Sequence, residues 1–250
     1  MAELLTAAVV FILLGGIAII SLRFSPRLAS QHRSDETTNV VRLVANIFVV
    51  MTSLVFGLLI NSAKNTYENI DGNVHSYATS LILLDRSLRD MGYSAQSARD
   101  HLATYVSEAI LHPARAQTNQ SGTSAESALR SLGVAIAAIT PSNTYQDTIL
   151  IDLRRQYNSI VEQRWKIIEQ SEGVIPKPLI GMLVAWLTLI FASFGYRAPH
   201  NGLVITVLII SAFLMSMSLY LVLDMDIPFA GVIQISDAPL HRVLQELKSD

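Results

Sequence analysis

The chain of 250 residues is 51% hydrophobic and only 15% charged, against about a quarter charged in soluble domains, so much of its surface must face something other than water. A net charge of −2 gives no general attraction to nucleic acid. The absence of cysteine excludes disulfides, thiolate metal centres and cysteine nucleophiles together.

The first apolar block, LLTAAVVFILLGGIAIISL at residues 4–22, is uncharged and long enough to span hydrocarbon at about 1.5 Å per helical residue. A secretory signal would start with basic residues and have a shorter apolar core. Glu3 precedes this block and Arg23 follows it, which predicts a retained transmembrane helix. The second block, LVANIFVVMTSLVFGLLINSA at 43–63, completes a transmembrane hairpin over 1–63.

Within the second block Asn46, Val50, Ser53, Gly57, Asn61 and Lys64 follow at spacings of four, three, four, four and three, which places them on one helix face. That face is small or polar, while Ile47, Phe48, Val55 and Leu59 point elsewhere. One reading is close helix packing, since small residues let backbones approach and asparagine bonds across helices. The other is a water-filled path. Asn61 would then offer amide donors to an anion and Lys64 would raise its local concentration. Val50, Leu54 and Leu58, spaced four apart, would form an apolar constriction that gates by dewetting.

Residues 64–176 are polar and domain-sized, and read as a helical extramembrane domain. No proline lies between Asn39 and Met91, so the second membrane helix is expected to run on. Its continuation carries Val74, Tyr77, Leu81, Leu84, Leu88 and Met91, a stripe suited to coiled-coil-like packing. On the same stretch Arg86 and Arg89 read as a solvated face. A second helix takes Leu102, Tyr105, Val106, Ala109 and Ile110; His112-Pro113 and TNQSGTSAES at 118–127 form a loop. A third helix is expected at about 125–140, ending at Pro141, and a fourth carries Ile149, Leu153, Tyr157, Ile160 and Ile168. Arg154-Arg155 reads as ordinary helix ion pairing with Asp152 and Glu162. Asn119-Gln120-Ser121 fits a glycosylation triplet that chance often produces.

Pro176 and Pro178 then break the helix. Residues 177–224 form a second transmembrane hairpin, with helices at 179–196 and 203–223 joined by the short link RAPHN. None of the four blocks alternates apolar and polar residues as barrel strands do. The fold class is therefore all-α: a polytopic membrane protein with four transmembrane helices and a helical extramembrane bundle between the second and third spans. Arg23, Arg27, Arg33 and Arg197 nearly balance Lys64, Lys166, Lys177, Arg242 and Lys248 across the membrane, so charge leaves the orientation open.

The segment 225–250 holds a turn and a short helix. Asp224 and Asp226 close the last apolar run, where an interfacial stop signal is the simple expectation; Phe229 would anchor at the interface or pack against neighbouring helices. Paired carboxylates also suit calcium, although the full ligand set of an EF-hand is missing. Pro228 would fix the chain's exit and Gly231 would supply a conformation denied to other residues. No phosphate loop, GxGxxG, HExxH or GxSxG is present, and the six histidines show no ligand spacing. No enzyme activity, cofactor or metal is expected.

The stretches IPKPLIGMLVAWLTLIFASFGYRAPHNG, LDMDIPFAGVIQISDAPL and LLDRSLRDMGYSAQ resemble the bacterial DUF4239 family of bestrophin-like domain proteins. Asp226, Pro228, Phe229, Gly231, Ile233, Ile235, Ser236, Pro239 and Leu240 match that family's element after the last membrane helix. The chain is more distantly similar to true bestrophins, pentameric anion channels whose second membrane helix lines the pore. FGLLINSAKNTYEN at 56–69 looks like the end of that pore helix, but their following Arg-Trp-Trp motif survives only as Tyr67-Glu68. The resemblance implies a homo-oligomer in the bacterial inner membrane that passes small anions, with the helical domain cytoplasmic. The alternative is a non-conducting sensor or scaffold whose helical domain binds a separate partner.

Overall fold

Away from water a backbone must pair its own N–H and C=O groups, and uninterrupted apolar runs of this length do so as helices. The computed structural model describes residues 2–25, 35–111, 124–171, 173, 175–229 and 231–249. Among these the chain is all-α, with no strand. The helices are α1 (Ala2–Phe24), α2 (Asp35–Asp90), α3 (Gln96–Leu111), α4 (Ser124–Ala137), α5 (Thr144–Gln170), α6 (Lys177–Arg197), α7 (Gly202–Asp226) and α8 (Ala238–Lys248), with a 3₁₀ turn at Gly92–Ala95. Helices α1, α2, α6 and α7 are each long and apolar enough to cross a membrane. Residues 26–34, with Arg27 and Arg33, lie outside the described residues, as do 112–123 with His112-Pro113 and the Asn119-Gln120-Ser121 triplet.

One compact unit takes in Met1–Thr66, Val174–Asp226 and Gly231–Ile233. Its core joins Val10, Leu14 and Ala18 of α1 to Leu59 and Ala63 of α2, Leu187 and Phe191 of α6, and Ala212 and Leu219 of α7. Helices α1 and α6 run side by side in the same direction. The carbonyl of Ala18 fills the space a side chain at Gly195 would need, the close approach that small residues permit between membrane helices. Near their C-terminal ends the Ser25 hydroxyl donates to the Tyr196 carbonyl at 2.7 Å. Helix α7 runs the opposite way, with the Ser216 hydroxyl donating to the Ala7 carbonyl.

The other unit takes in Tyr67–Gly173, Ile227–Ala230 and Gln234–Asp250. Leu81, Leu84 and Leu88 pack with Leu102 and Val106 of α3, Leu132 and Ile136 of α4, Leu153 and Ile160 of α5, and Val243 of α8. Three polar rungs join α2 to the antiparallel α5. Asn73 donates to Gln170 at 2.6 Å, Gln163 to Ser80 at 3.0 Å and Gln156 to Ser87 at 3.0 Å. Each rung is seven residues from the next on both helices, the spacing of a heptad seam.

Several boundaries differ from expectation. The third helix stops at Ala137 rather than 140, because the Ile139 amide turns back to Ile136 at 3.3 Å. Asn143 then caps α5 by accepting from the Gln146 amide at 2.8 Å. Helix α4 begins at Ser124, close to the expected 125, so the end of the stretch 118–127 read as a loop is its first turn, where Glu126 suits the positive end of the helix dipole. Arg89 is not simply a solvated residue. Asp85, only 2% exposed, accepts from Arg89 Nε at 2.7 Å and from Arg99 Nε at 3.0 Å, and Arg89 also donates to the Glu246 carbonyl at 2.9 Å. One buried carboxylate thus ties α2, α3 and α8 together.

Candidate functional site

The α2 stripe is built by a helix that buries one side and leaves the other without cover. Ala45, Thr52, Leu59 and Ala63 are buried, whereas Asn46, Val50, Ser53, Leu54, Gly57, Leu58, Asn61 and Lys64 are all exposed. Val50 is 67% exposed, and Leu54 and Leu58 are 61% exposed. Of the apolar residues expected off the stripe, Leu59 is buried and Phe48 and Val55 are half-buried, but Ile47 is exposed. A Cβ at Gly57 would meet nothing within 4 Å. The packing reading therefore does not describe this chain's own helices, since none of the described residues fills the space that the small side chains leave. The Ser53 hydroxyl donates to the Val49 carbonyl at 2.8 Å, so it is satisfied inside its own helix.

The C-terminal element also departs from the simple expectation. Helix α7 runs three residues past the predicted 223, and both its acids are buried, Asp224 at 1% and Asp226 at 7% exposure. They are not a water-facing stop signal. Asp224 Oδ2 accepts from the amides of Val232 at 2.9 Å and Ile233 at 2.7 Å, and Asp226 Oδ2 accepts from the Ile175 amide at 3.2 Å. Charge-assisted bonds of this kind hold a carboxylate where water is scarce. Calcium would need these oxygens as its own electron-pair donors, yet Asp224 Oδ2 already faces two N–H groups. Among the described residues no group of three or more His, Cys, Asp or Glu side chains is placed to hold a metal ion.

The rest of the element folds locally. The buried Pro228 accepts at its carbonyl from the Ile235 amide at 2.9 Å. Phe229 packs with Ile70, Val74 and Ile235, a protein contact rather than the anchoring at an interface that was the first expectation. Gly231 has a φ of +111°, open to glycine and strained for other residues. Ser236 accepts from the Ala238 amide at 3.2 Å, and the buried Pro239 sits in the first turn of α8, where its missing N–H costs nothing.

Three polar features escaped sequence reasoning. The Asp85 carboxylate with its two arginines had a signal in the four-residue spacing to Arg89, but Arg99 lies beyond the helix break. The hydroxyls of Thr52 and Ser193 are buried without a hydrogen-bond partner, and nothing in an apolar run marks one serine as unsatisfied.

A family model for the Bestrophin-like domain matches residues 12–240. The fold is shared with two crystal structures of a bacterial bestrophin homologue from Klebsiella pneumoniae, each carrying one substitution. They have TM-scores of 0.56 and 0.57 at 13% and 14% identity, and the match covers 99% of this chain and 98% of theirs. No curated protein matches the chain.

Proposed function

The chain belongs to the bestrophin-like domain family, and from that premise we propose that this multi-pass membrane protein assembles with copies of itself into an anion channel lined by α2. The observation that carries this reading is the exposed stripe from Asn46 to Lys64. Its polar groups gain little from hydrocarbon and gain more in a protein-lined or water-filled path. Copies of α2 arranged around a common axis would supply that path. Asn61 and Lys64 would stand at one end as amide donors and a positive charge, and Val50, Leu54 and Leu58 would narrow it with apolar side chains. The copy number implied by true bestrophins is five. In this reading residues 67–173 form a bundle on the cytoplasmic side of a bacterial inner membrane.

Particle mass in detergent together with ion flux from liposomes tests the proposal. A particle of several copies that passes chloride supports it, whereas a monomer eliminates a central pore. A second reading rests on exposed large side chains in the helical unit, among them Tyr145, Ile151 and Trp165. They suit a scaffold that binds a partner protein, and an oligomer without flux would favour that role.

A further inference from the structure

An open groove of about 640 Å³ lies between α1, α2 and α6, within the range of about 300–1,000 Å³ typical of small-ligand sites. Val40, Val44, Phe48 and Leu189 give it an apolar wall, and Ser193 and Tyr196 supply polar groups. Two independent observations point to an occupant. The first is Ser193, which lines the groove, is only 8% exposed and has no partner for its hydroxyl. Membrane-helix serines ordinarily donate to a carbonyl one turn back, as Ser218 does to Leu214 at 2.9 Å.

The second is the charge at the rim. Arg42 adjoins the lining residue Val41, Arg197 adjoins Tyr196, and Arg23 stands two residues beyond Ser21. All three are exposed. Arg23 and Arg197 stand in the last turns of α1 and α6 and Arg42 in the second turn of α2, so all three belong to the end of the groove lined by Ser21, Thr37 and Tyr196. Two acids share this end: Glu36 adjoins the lining residue Thr37 and Asp35 precedes it, so the three cations outnumber them by one.

We propose that this groove binds one anionic phospholipid. Its acyl chain lies along the apolar wall, an ester carbonyl accepts from Ser193, and the phosphate sits among Arg23, Arg42 and Arg197. Charge selects this occupant. A zwitterionic lipid would bring its own cation among three arginines, and a helix from a second copy would offer an apolar face but no phosphate.

The test uses the full chain, stripped of lipid in detergent, returned to phosphatidylglycerol or phosphatidylcholine vesicles, re-extracted, and weighed by native mass spectrometry. Phosphatidylglycerol should stay bound at one per chain and phosphatidylcholine should be lost. Arg42→Ala and Arg197→Ala should each weaken retention about fivefold, the effect of one cation near an anionic surface. Ala192→Phe, which fills the groove, should abolish retention at an unchanged unfolding temperature. If that variant unfolds, Ser193→Ala, which removes only the hydroxyl, carries the test and should lower retention. Equal retention of both lipids, or no effect of the arginine variants, overturns the proposal. So does glycerol phosphate competing as well as the whole lipid, which would leave the tail no role. A fall in copy number with lipid occupancy unchanged would give the groove to a second copy and also overturn it.

Discussion

A side chain on residue 231 would occupy the space of the Asp224 carboxylate, which stands against Gly231 with no gap for a Cβ. Substitution there would displace a buried acid from two backbone amides and strain a left-handed residue, each a cost of about 1–3 kcal/mol. Gly231→Val should therefore lower the yield of monodisperse protein on size exclusion, equally with calcium and with chelator. Tight calcium binding that Asp226→Ala abolishes would reassign the element to a metal.

Reversing the charge at position 64 separates a pore from a lipid-facing stripe. Lys64→Glu should weaken or reverse the anion preference measured from reversal potentials, while particle mass stays constant. Flux with unchanged selectivity would remove Lys64 from the conduction path.

Orientation follows from reporter fusions at Ser121 and Asp250, both outside the described residues. If the helical unit is cytoplasmic, alkaline phosphatase should be inactive at both positions. Activity at both would reverse the topology.

Removing the carboxylate that joins α2, α3 and α8 leaves two arginines without their buried acceptor. Asp85→Ala should destabilise the chain by about 1.5–3 kcal/mol, the scale of hydrogen bonds to charged groups, and so lower the unfolding temperature in detergent. Arg155→Ala should change little, because Arg155 and Asp152 form an exposed pair at 3.4 Å.

Alkaline pH should act through Tyr105. Burial pushes its phenol above the ordinary range, and the nearby Arg164 offsets only part of this. The folded chain therefore holds the phenol proton more tightly than the unfolded chain. Its stabilising contribution is complete below about pH 10 and is lost as pH rises through the folded value. The unfolding temperature should fall above about pH 10, and less steeply in Tyr105→Phe. Parallel curves for the two proteins would clear the phenol of responsibility.

Sequence made the helices legible because an apolar run or a stripe at helical spacing reflects one local rule. Leu81, Leu84, Leu88, Leu153 and Ile160 are buried where their spacing placed them. Asp224 and Asp226 were misread because their surroundings come from backbone amides at Ile175, Val232 and Ile233, and amides leave no trace in residue type. Ser193 was invisible for a related reason: its neighbours at the groove come, beyond its own helix, from α1 and α2, which are distant in sequence. The exposed face of α2 was legible as a pattern, but what covers it depends on matter outside a single chain.

The three rungs between α2 and α5 leave a question of register. Sliding one helix by seven residues would set Gln163 against Asn73 and Gln156 against Ser80, and would exchange Leu153 with Ile160 in the core, so the seam alone barely distinguishes the two alignments. Tyr157 breaks the tie. Its hydroxyl donates to the Leu129 carbonyl at 3.1 Å, and its ring occupies the hollow left by Gly133. The residues seven before and after it are Leu150, which has no donor, and Arg164, which has no ring to fill that hollow. The periodic seam holds the two helices side by side, while this single tyrosine acts as the index mark that tells them where to stop.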